Sequence, residues 1–502
     1  MRLAERYDVI CAGGGLSSYL CSALLAKAGK RVLVIDEEDQ ATARTYGDGY
    51  IFDPDFAGFT GLNDTAALGR SLRELGVGTD DFRAADSVIQ VLTSNYRLVF
   101  SKEAEAFERE VRREVARGHE DVFAFFDLLR RAAGSIPSFV EGALTRGQGT
   151  TADASSWRRF WGSYYSKIQS DRPVALSKVL PSNGAELCEN LGAAILGAMS
   201  YAAPTNLGCE QSMRGLSVSL QGQGFYVGGL DALKKRLATL VLEAGGSVKR
   251  DTSVESLITE SGKVVGVLLS SFEGIIRSNI VVIGSRLRRL YLTLPENMRD
   301  PSLFRSLGRV VPSSWRFTVS LTVKRSVIPI GATSSMTYVG SHQFPLEEEN
   351  YLKIQIIPDG VYSSRPEGAE TATLLVTALV PYRASALDYD YLRRLGGRMI
   401  RTLAELMPFL EYNIVSLYPD FRANDAELRE AYPFRGPDWL PENLMQYYVR
   451  GHRSVQDFWG PSWTTPHTNL YFAGRSVWPS LGTYGEALAA RKIFDDVMLP
   501  RN

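Results

Sequence analysis

The sequence is short of the residues from which metal centres and disulfide frames are built. Its 502 residues include 4 cysteines and 4 histidines. Cys11, Cys21, Cys188 and Cys209 are scattered, with no C-x-x-C spacing, which argues against a disulfide frame and against a zinc site. Cys11 and Cys21 fall among apolar neighbours and are expected to be buried as small hydrophobes. His119, His342, His452 and His467 are equally dispersed, so no metal is expected. No G-x-S-x-G elbow, H-E-x-x-H helix or recognisable carboxylate dyad occurs, and no catalytic residue is assigned. Net charge is absent too: 56 basic and 56 acidic residues cancel, leaving no global field for nucleic acid. No apolar run reaches the ~20 residues needed to span a bilayer. The first strand begins near residue 7, leaving no room for a signal peptide, so a cytoplasmic location is the expectation.

What the chain does have is concentrated at its start. Val9, Ile10 and Cys11 form a short apolar run, followed at once by Gly13, Gly14 and Gly15. Leu16, Leu20, Ala23 and Leu24 recur at helical spacing, and KRVLVI (residues 30–35) makes a second buried strand closed by Asp36. Strand, glycine turn, helix, strand and terminal acid form the unit that grips a dinucleotide. Glycine lets pyrophosphate approach the backbone, the helix start supplies N–H groups and partial positive charge, and the acid accepts ribose hydroxyls. Asp36 lies 23 residues beyond Gly13, the spacing this unit requires. An acid there favours an unphosphorylated ribose, as in FAD or NAD, over NADP. The third glycine position of the turn holds Ser18, which must pack where a small residue is needed.

A chain of this length needs two or three domains. Hydrophobic content of 45% and charged content of 22% are ordinary for a globular protein. Residues 37–60 read as loop-rich, 101–117 as an exposed charged helix, and 120–131 as an amphipathic helix carrying Val122, Phe125, Phe126 and Leu129 on one face. Residues 147–156 read as a linker or lid base, and 187–201 as an Ala- and Leu-rich helix. Gly228-Gly229 opens a helix that Gly245-Gly246 ends, and a meander of strands follows to Gly284. Alternating segments from Trp315 to Val380 predict antiparallel strands, 388–410 a long helix, and 469–473 a last buried strand followed by a helix to Met498. No internal repeat is visible.

Three separated blocks combine: the opening unit, GFYVGGLDALKKRLATLVLEAGGSV with the strands ending VVIGS, and NLYFAGRSVWPSLGTYGEALAARKIFDD. Their order resembles the flavoprotein superfamily of phytoene desaturases, carotenoid isomerases and flavin amine oxidases, which also includes Rab GDP dissociation inhibitors. The middle block is most similar to the phytoene desaturase and carotenoid isomerase branch. The resemblance implies an α/β fold: a Rossmann-like FAD-binding domain of the two-dinucleotide-binding-domain type, a substrate domain with a mixed antiparallel sheet, and a helical insertion. The implied division is 1–95, 205–295 and 465–502 for FAD, 96–204 for the insertion and 296–464 for the substrate. Gly13, Gly14, Gly15, Leu16, Ser17 and Ser18 would hold FAD pyrophosphate, with Asp36 and Glu37 at the adenosine ribose. Val254 would meet adenine through its backbone, beside Gly284. Gly474 and Arg475 would approach the ribityl chain and pyrophosphate, and Gly482, Thr483 and Tyr484 the isoalloxazine. The helix from Gly485 would aim its N-terminal N–H groups at the flavin, easing hydride acceptance.

Three positions depart from the pattern. Arg475 stands where relatives carry an acid. The Gly-Gly-Arg segment after the second strand is missing, with Arg44 and Gly47 its nearest stand-ins. Phe52-Asp53-Pro54-Asp55 replaces F-D-x-G. The resemblance implies an FAD-dependent oxidoreductase that desaturates, saturates or isomerises an apolar, isoprenoid-like substrate, with flavin carrying the redox step. The departures keep open a non-catalytic binding protein like the GDP dissociation inhibitors. An amine oxidase is a third reading, although the last block lacks the paired aromatics it would need. Residues 155–167 (SSWRRFWGSYYSK) alternate rings with basic groups. They suit peripheral contact with a membrane interface or a tunnel mouth, or plain packing on the substrate domain. Residues 452–463 (HRSVQDFWGPSW) are as aromatic and suit a cavity wall or packing.

Overall fold

The structure, a computed structural model, describes residues 6–37, 44–46, 50–53, 56, 58–64, 66–85, 89–101, 103–127, 130, 185–199, 215–216, 218–220, 223–270, 274–308, 310–340, 350–363, 368–382, 388–418, 444–450 and 463–499. The aromatic segments 155–167 and 452–462, the linker 147–156 and Cys209 lie outside the described residues.

The strands are, in chain order, β1 (Arg6–Ala12), β2 (Val32–Ile35), β3 (Arg44–Tyr46), β4 (Tyr50–Phe52), β5 (Phe59–Thr60), β6 (Phe82–Ala84), β7 (Ile89–Thr93) and β8 (Arg97–Phe100). Next come β9 (Gln223–Tyr226), β10 (Ser247–Lys249), β11 (Val254–Glu260), β12 (Lys263–Leu269), β13 (Ile275–Ile283) and β14 (Val310–Lys324). The last are β15 (Ser335–Val339), β16 (Tyr351–Ile356), β17 (Thr371–Pro381), β18 (Ile414–Tyr418), β19 (Leu444–Arg450) and β20 (Leu470–Phe472).

The first sheet runs β10-β2-β1-β13-β12-β11, with β20 beside β13. Strands β10, β2, β1, β13 and β20 pair in parallel, and the β11–β12 meander is antiparallel. Strand β2 is buried throughout and β1 nearly so, which is why both read as continuous apolar runs. The crossover helix Leu16–Lys27 joins them and is buried from Leu16 to Ala26, because the helices Gly229–Glu243 and Gly482–Met498 pack against it. Cys11 and Cys21 are buried in this core, as their apolar setting implies.

The second sheet runs β18-β14-β17-β16-β15-β7-β8, with β19 beside β14. Strands β7 and β8 reach it from the N-terminal part of the chain, β7 pairing in parallel with β15. Phe317, Val319, Leu321 and Val323 point to one face, where Leu392, Leu395, Met399 and Leu403 of the helix Tyr389–Leu406 cover them. Residues 119–127 are helical, with Val122, Phe125 and Phe126 buried. The insertion helix Ala185–Met199 lies against β15, β7 and β16.

Two polar joints tie the β3–β4 ribbon to the second sheet and its connections. Ser320 Oγ donates to the Ile51 carbonyl at 2.9 Å. Tyr362 Oη donates to Asp53 Oδ2 at 2.6 Å, beside Gly229 at the start of its helix. Asp53 is 1% exposed, so the phenol satisfies a carboxylate that water cannot reach. Burial, then the Asp53 charge, raise Tyr362 well above the usual tyrosine range. An unfolded tyrosine releases its proton near pH ~10. The stability carried by this phenol is therefore complete below that pH and declines above it, by up to ~1.4 kcal/mol per pH unit. Tyr362→Phe is expected to cost ~1–3 kcal/mol at neutral pH. It should also flatten the alkaline decline in urea unfolding between pH 9 and 11; wild type and variant declining in parallel would contradict this.

Candidate functional site

The carboxyl ends of β1, β13 and β20 meet over the start of the crossover helix. Gly13 has φ +132°, and a Cβ there would lie 2.9 Å from the Ser285 nitrogen. A Cβ on Gly474 (φ +87°) would lie 2.2 Å from the Gly284 carbonyl oxygen. A Cβ on Gly284 would strike Ser18 Oγ at 2.1 Å. Ser18 is thus accommodated at the third turn position because Gly284, just past the neighbouring strand β13, has no side chain.

The crossover helix starts at Gly15 with no side-chain cap and no acid in its first turn, leaving its positive end to an external anion. Asp36, 4% exposed, leans onto this turn: a Cβ on Gly14 would fall 1.8 Å from its Oδ1, while Oδ2 accepts a hydrogen bond from Tyr19 Oη at 2.7 Å. Burial, then that bond, push the Tyr19 phenol well above its ordinary range. Glu37 Oε2 pairs with Arg286 Nε at 2.9 Å, and the Val254 backbone approaches the same carboxylate. Burial raises the Glu37 carboxyl, an effect that Arg286 partly offsets.

An FAD molecule extended across this cleft fits what the residues leave open. The Ser17 and Ser18 hydroxyls and Glu37 Oε1 are buried and take no hydrogen bond among the described residues. The cradle at Gly13, Gly14 and Gly15 is one that side chains would fill. On the far side, the helix Gly482–Met498 also begins without a side-chain cap. Thr483 is buried, and the Tyr484 ring is packed so closely on Gly61 that a Cβ there would lie 2.7 Å from Cδ2.

The structure therefore gathers Gly13 to Ser18, Asp36, Glu37, Val254, Gly284 and Gly474 around one cleft. Gly482, Thr483 and Tyr484 stand at the start of the helix that closes it. Arg475 follows Gly474 directly, at the end of β20. Arg44 stands opposite Phe52 in the β3–β4 ribbon, and its side chain lies outside the described residues. Sequence reasoning missed Tyr19, Arg286 and Glu486. Glu486 is 2% exposed, and its Oε1 lies 3.3 Å from where a Cβ on Gly15 would stand. Its one visible signal was an acid amid the small residues of the closing helix. Among the described residues no His/Cys/Asp/Glu group could hold a metal, and no helix is long and apolar enough to cross a membrane.

Comparison with known proteins fits this geometry. The chain belongs to the flavin containing amine oxidoreductase family, whose pattern matches residues 20–488. It is a flavin-containing oxidoreductase of the amine oxidase superfamily, and FAD is its cofactor. It is 22% identical over 444 residues to the chloroplastic prolycopene isomerase of Daucus carota, covering 82% of this chain and 68% of that protein. It is 25% identical over 486 residues to the all-trans-retinol 13,14-reductase of Macaca fascicularis, covering 90% and 72%. In fold it is similar to the cyclohexylamine oxidase of Brevibacterium oxydans, with a TM-score of 0.62 at 14% identity over 99% of this chain and 100% of that one.

Gly14→Ala should force Asp36 off the turn and weaken FAD binding ~10- to 100-fold, the value of one or two hydrogen bonds to a charged group. Gly308→Ala, whose Cβ meets nothing within 4 Å, should leave it unchanged. Quenching of FAD fluorescence on titration into apoprotein measures both; equal affinities would move the ribose site elsewhere.

Proposed function

We propose that this protein is an FAD-dependent oxidoreductase that desaturates, saturates or isomerises an apolar, isoprenoid-like substrate. The bound flavin supplies hydride transfer at N5. The observation that carries this reading is the cleft between the glycine turn and the closing helix, with its orphaned serine hydroxyls and Glu37 Oε1. Two relatives named for an isoprenoid isomerisation and a retinol reduction support the substrate class.

In this reading Asp36 and Glu37 receive the ribose, and the backbone of Val254 faces adenine. The turn from Gly13 to Ser18 surrounds the pyrophosphate with N–H groups and serine hydroxyls. Arg475 supplies a cation next to Gly474, where the ribityl chain and pyrophosphate pass. Thr483 and Tyr484 lie at the flavin ring, and the start of the closing helix favours negative charge on it. Ile51, Phe56 and Phe225 pack with Leu375 of β17 in one buried apolar cluster. Residues 1–95, 205–295 and 465–502 hold the dinucleotide, with 89–95 contributing strand β7 to the substrate sheet. Residues 96–204 form the insertion and 296–464 the substrate domain.

The purified protein is expected to be yellow, to release FAD on heating, and to regain its visible bands when the apoprotein is mixed with FAD. Anaerobic titration with retinol, a cis-lycopene, putrescine and cyclohexylamine should change the flavin spectrum with the isoprenoids alone. Protein that stays colourless with added FAD would sink the enzyme reading, and bleaching by the amines alone would replace it with an amine oxidase.

A further inference from the structure

The backbone around Asp36 is pinned on both sides. The Ile35 carbonyl accepts from the Gly13 N–H at 2.8 Å, and the Asp36 N–H donates to the Lys249 carbonyl of β10 at 2.8 Å. These bonds fix the peptide that enters Asp36, and the Thr252 N–H reaches the carbonyl that leaves it at 3.5 Å. They do not fix the carboxylate, because the terminal torsion of an aspartate is broad and two-fold. An acid free to turn must be ordered when a ligand binds, and that ordering costs affinity.

The side chain is fixed by Tyr19. Tyr19 Oη donates to Asp36 Oδ2 at 2.7 Å, and both residues are buried. The other oxygen, Oδ1, leans over Gly14, so near that a Cβ there would lie 1.8 Å away. The two oxygens thus have separate places, Oδ2 against the helix side chain and Oδ1 on the glycine turn. Burial, followed by the bond to Asp36, holds the Tyr19 phenol above its ordinary range, so it keeps its proton and stays a donor at neutral pH. Arg250, the residue after β10, bonds the same phenol. A guanidinium has donors only and a carboxylate only accepts, so the bonds run from Arg250 to Tyr19 to Asp36, each polarising the next.

The place of Tyr19 in its helix gives this contact a use beyond filling the core. Tyr19 is the fourth residue of the crossover helix Leu16–Lys27, and its N–H reaches the Gly15 carbonyl at 3.3 Å. One turn of helix therefore presents the uncapped N–H groups and also holds the acid at the end of β2. Pyrophosphate and adenosine ribose are adjacent in a dinucleotide. A rigid spacing between their two receptors matches a short, fixed spacing in the ligand.

We propose that Tyr19 is a positioning residue for FAD: its hydroxyl holds the Asp36 carboxylate turned so that Oδ1 receives the adenosine ribose hydroxyls. The inference rests on the reading that places the ribose at Asp36 and deepens it by naming the group that aims the acid. Tyr19 acts on the cofactor through Asp36 alone.

The test titrates the full chain, freed of cofactor, with FAD and with FAD whose adenosine lacks both ribose hydroxyls, the 2′,3′-dideoxy form, read by flavin fluorescence. Wild type should bind FAD ~10- to 100-fold tighter than the dideoxy form, the value of one or two hydrogen bonds to a charged group. Asp36→Asn should lose most of that preference. Tyr19→Phe should weaken FAD ~3- to 10-fold and leave the dideoxy form within about twofold of wild type, a split that a loosened core does not produce. In the double variant FAD should bind as it does to Asp36→Asn alone, because the two residues act as one unit. Tyr19→p-aminophenylalanine keeps the ring and a donor and should discriminate between the two ligands as wild type does. It also decides the matter if circular dichroism melts show Tyr19→Phe unfolded. Equal weakening of both ligands by Tyr19→Phe, additive losses in the double variant, or a p-aminophenylalanine variant that does not discriminate would overturn the proposal. FAD bound equally well by Asp36→Asn and wild type would move the ribose elsewhere and end the underlying reading as well. A preference lost in Asp36→Asn but untouched in Tyr19→Phe would end the inference alone.

Discussion

The contact on which the rest depends is backbone against backbone, where β1, β13 and β20 end. Gly474 sits on the carbonyl of Gly284, Gly284 gives room to Ser18, and Gly13 presses against the peptide between Gly284 and Ser285. Each approach is closer than any side chain allows, so glycine is obligatory on all sides. Segments from the start, middle and end of the chain are locked at one point by three residues without Cβ atoms. Parallel strands buried on both faces supply the driving force, and the glycines set the register. The dinucleotide cleft is the space left above this contact, bounded by two helix starts with no side-chain caps.

The second constraint joins that cleft to the antiparallel sheet. Asp53 is buried at the start of the helix Gly229–Glu243, where a carboxylate complements the helix dipole, and the phenol of Tyr362 holds it from the connection between β16 and β17. Ser320 bonds the Ile51 backbone close by. These joints are polar because the face they anchor is polar. An apolar seam would seal the two layers together. A polar, hydrogen-bonded seam fixes their separation and leaves an interior in which charged side chains are buried.

Local chemistry was legible in the sequence, and long-range neighbours were not. The opening turn, Asp36 and the two helices that pack on the crossover announce themselves through glycine, apolar period and spacing. Ser18 stood out as a departure at the third turn position, and its compensation, Gly284, lies just past β13, more than 260 residues away. Nor did the Phe52-Asp53 turn disclose that Asp53 sits at a helix start, because its partner Tyr362 lies far along the chain, between β16 and β17. Strand β7 falls in the stretch read as the FAD domain and β8 in the stretch read as the insertion; the pairings of β7 with β15 and β8 place both in the second sheet. The alternation along β14 predicted two unlike faces. It contained nothing to say that the polar one would be covered, because coverage comes from β4, β9 and the insertion helix.

The chain's likenesses divide between fold and sequence. Fold likeness extends to amine oxidases, and sequence likeness to proteins named for a carotenoid isomerisation and a retinol reduction. Both likenesses meet at the dinucleotide unit, where Gly13, Gly284 and Gly474 close on one another, so fold and cofactor follow from that one contact.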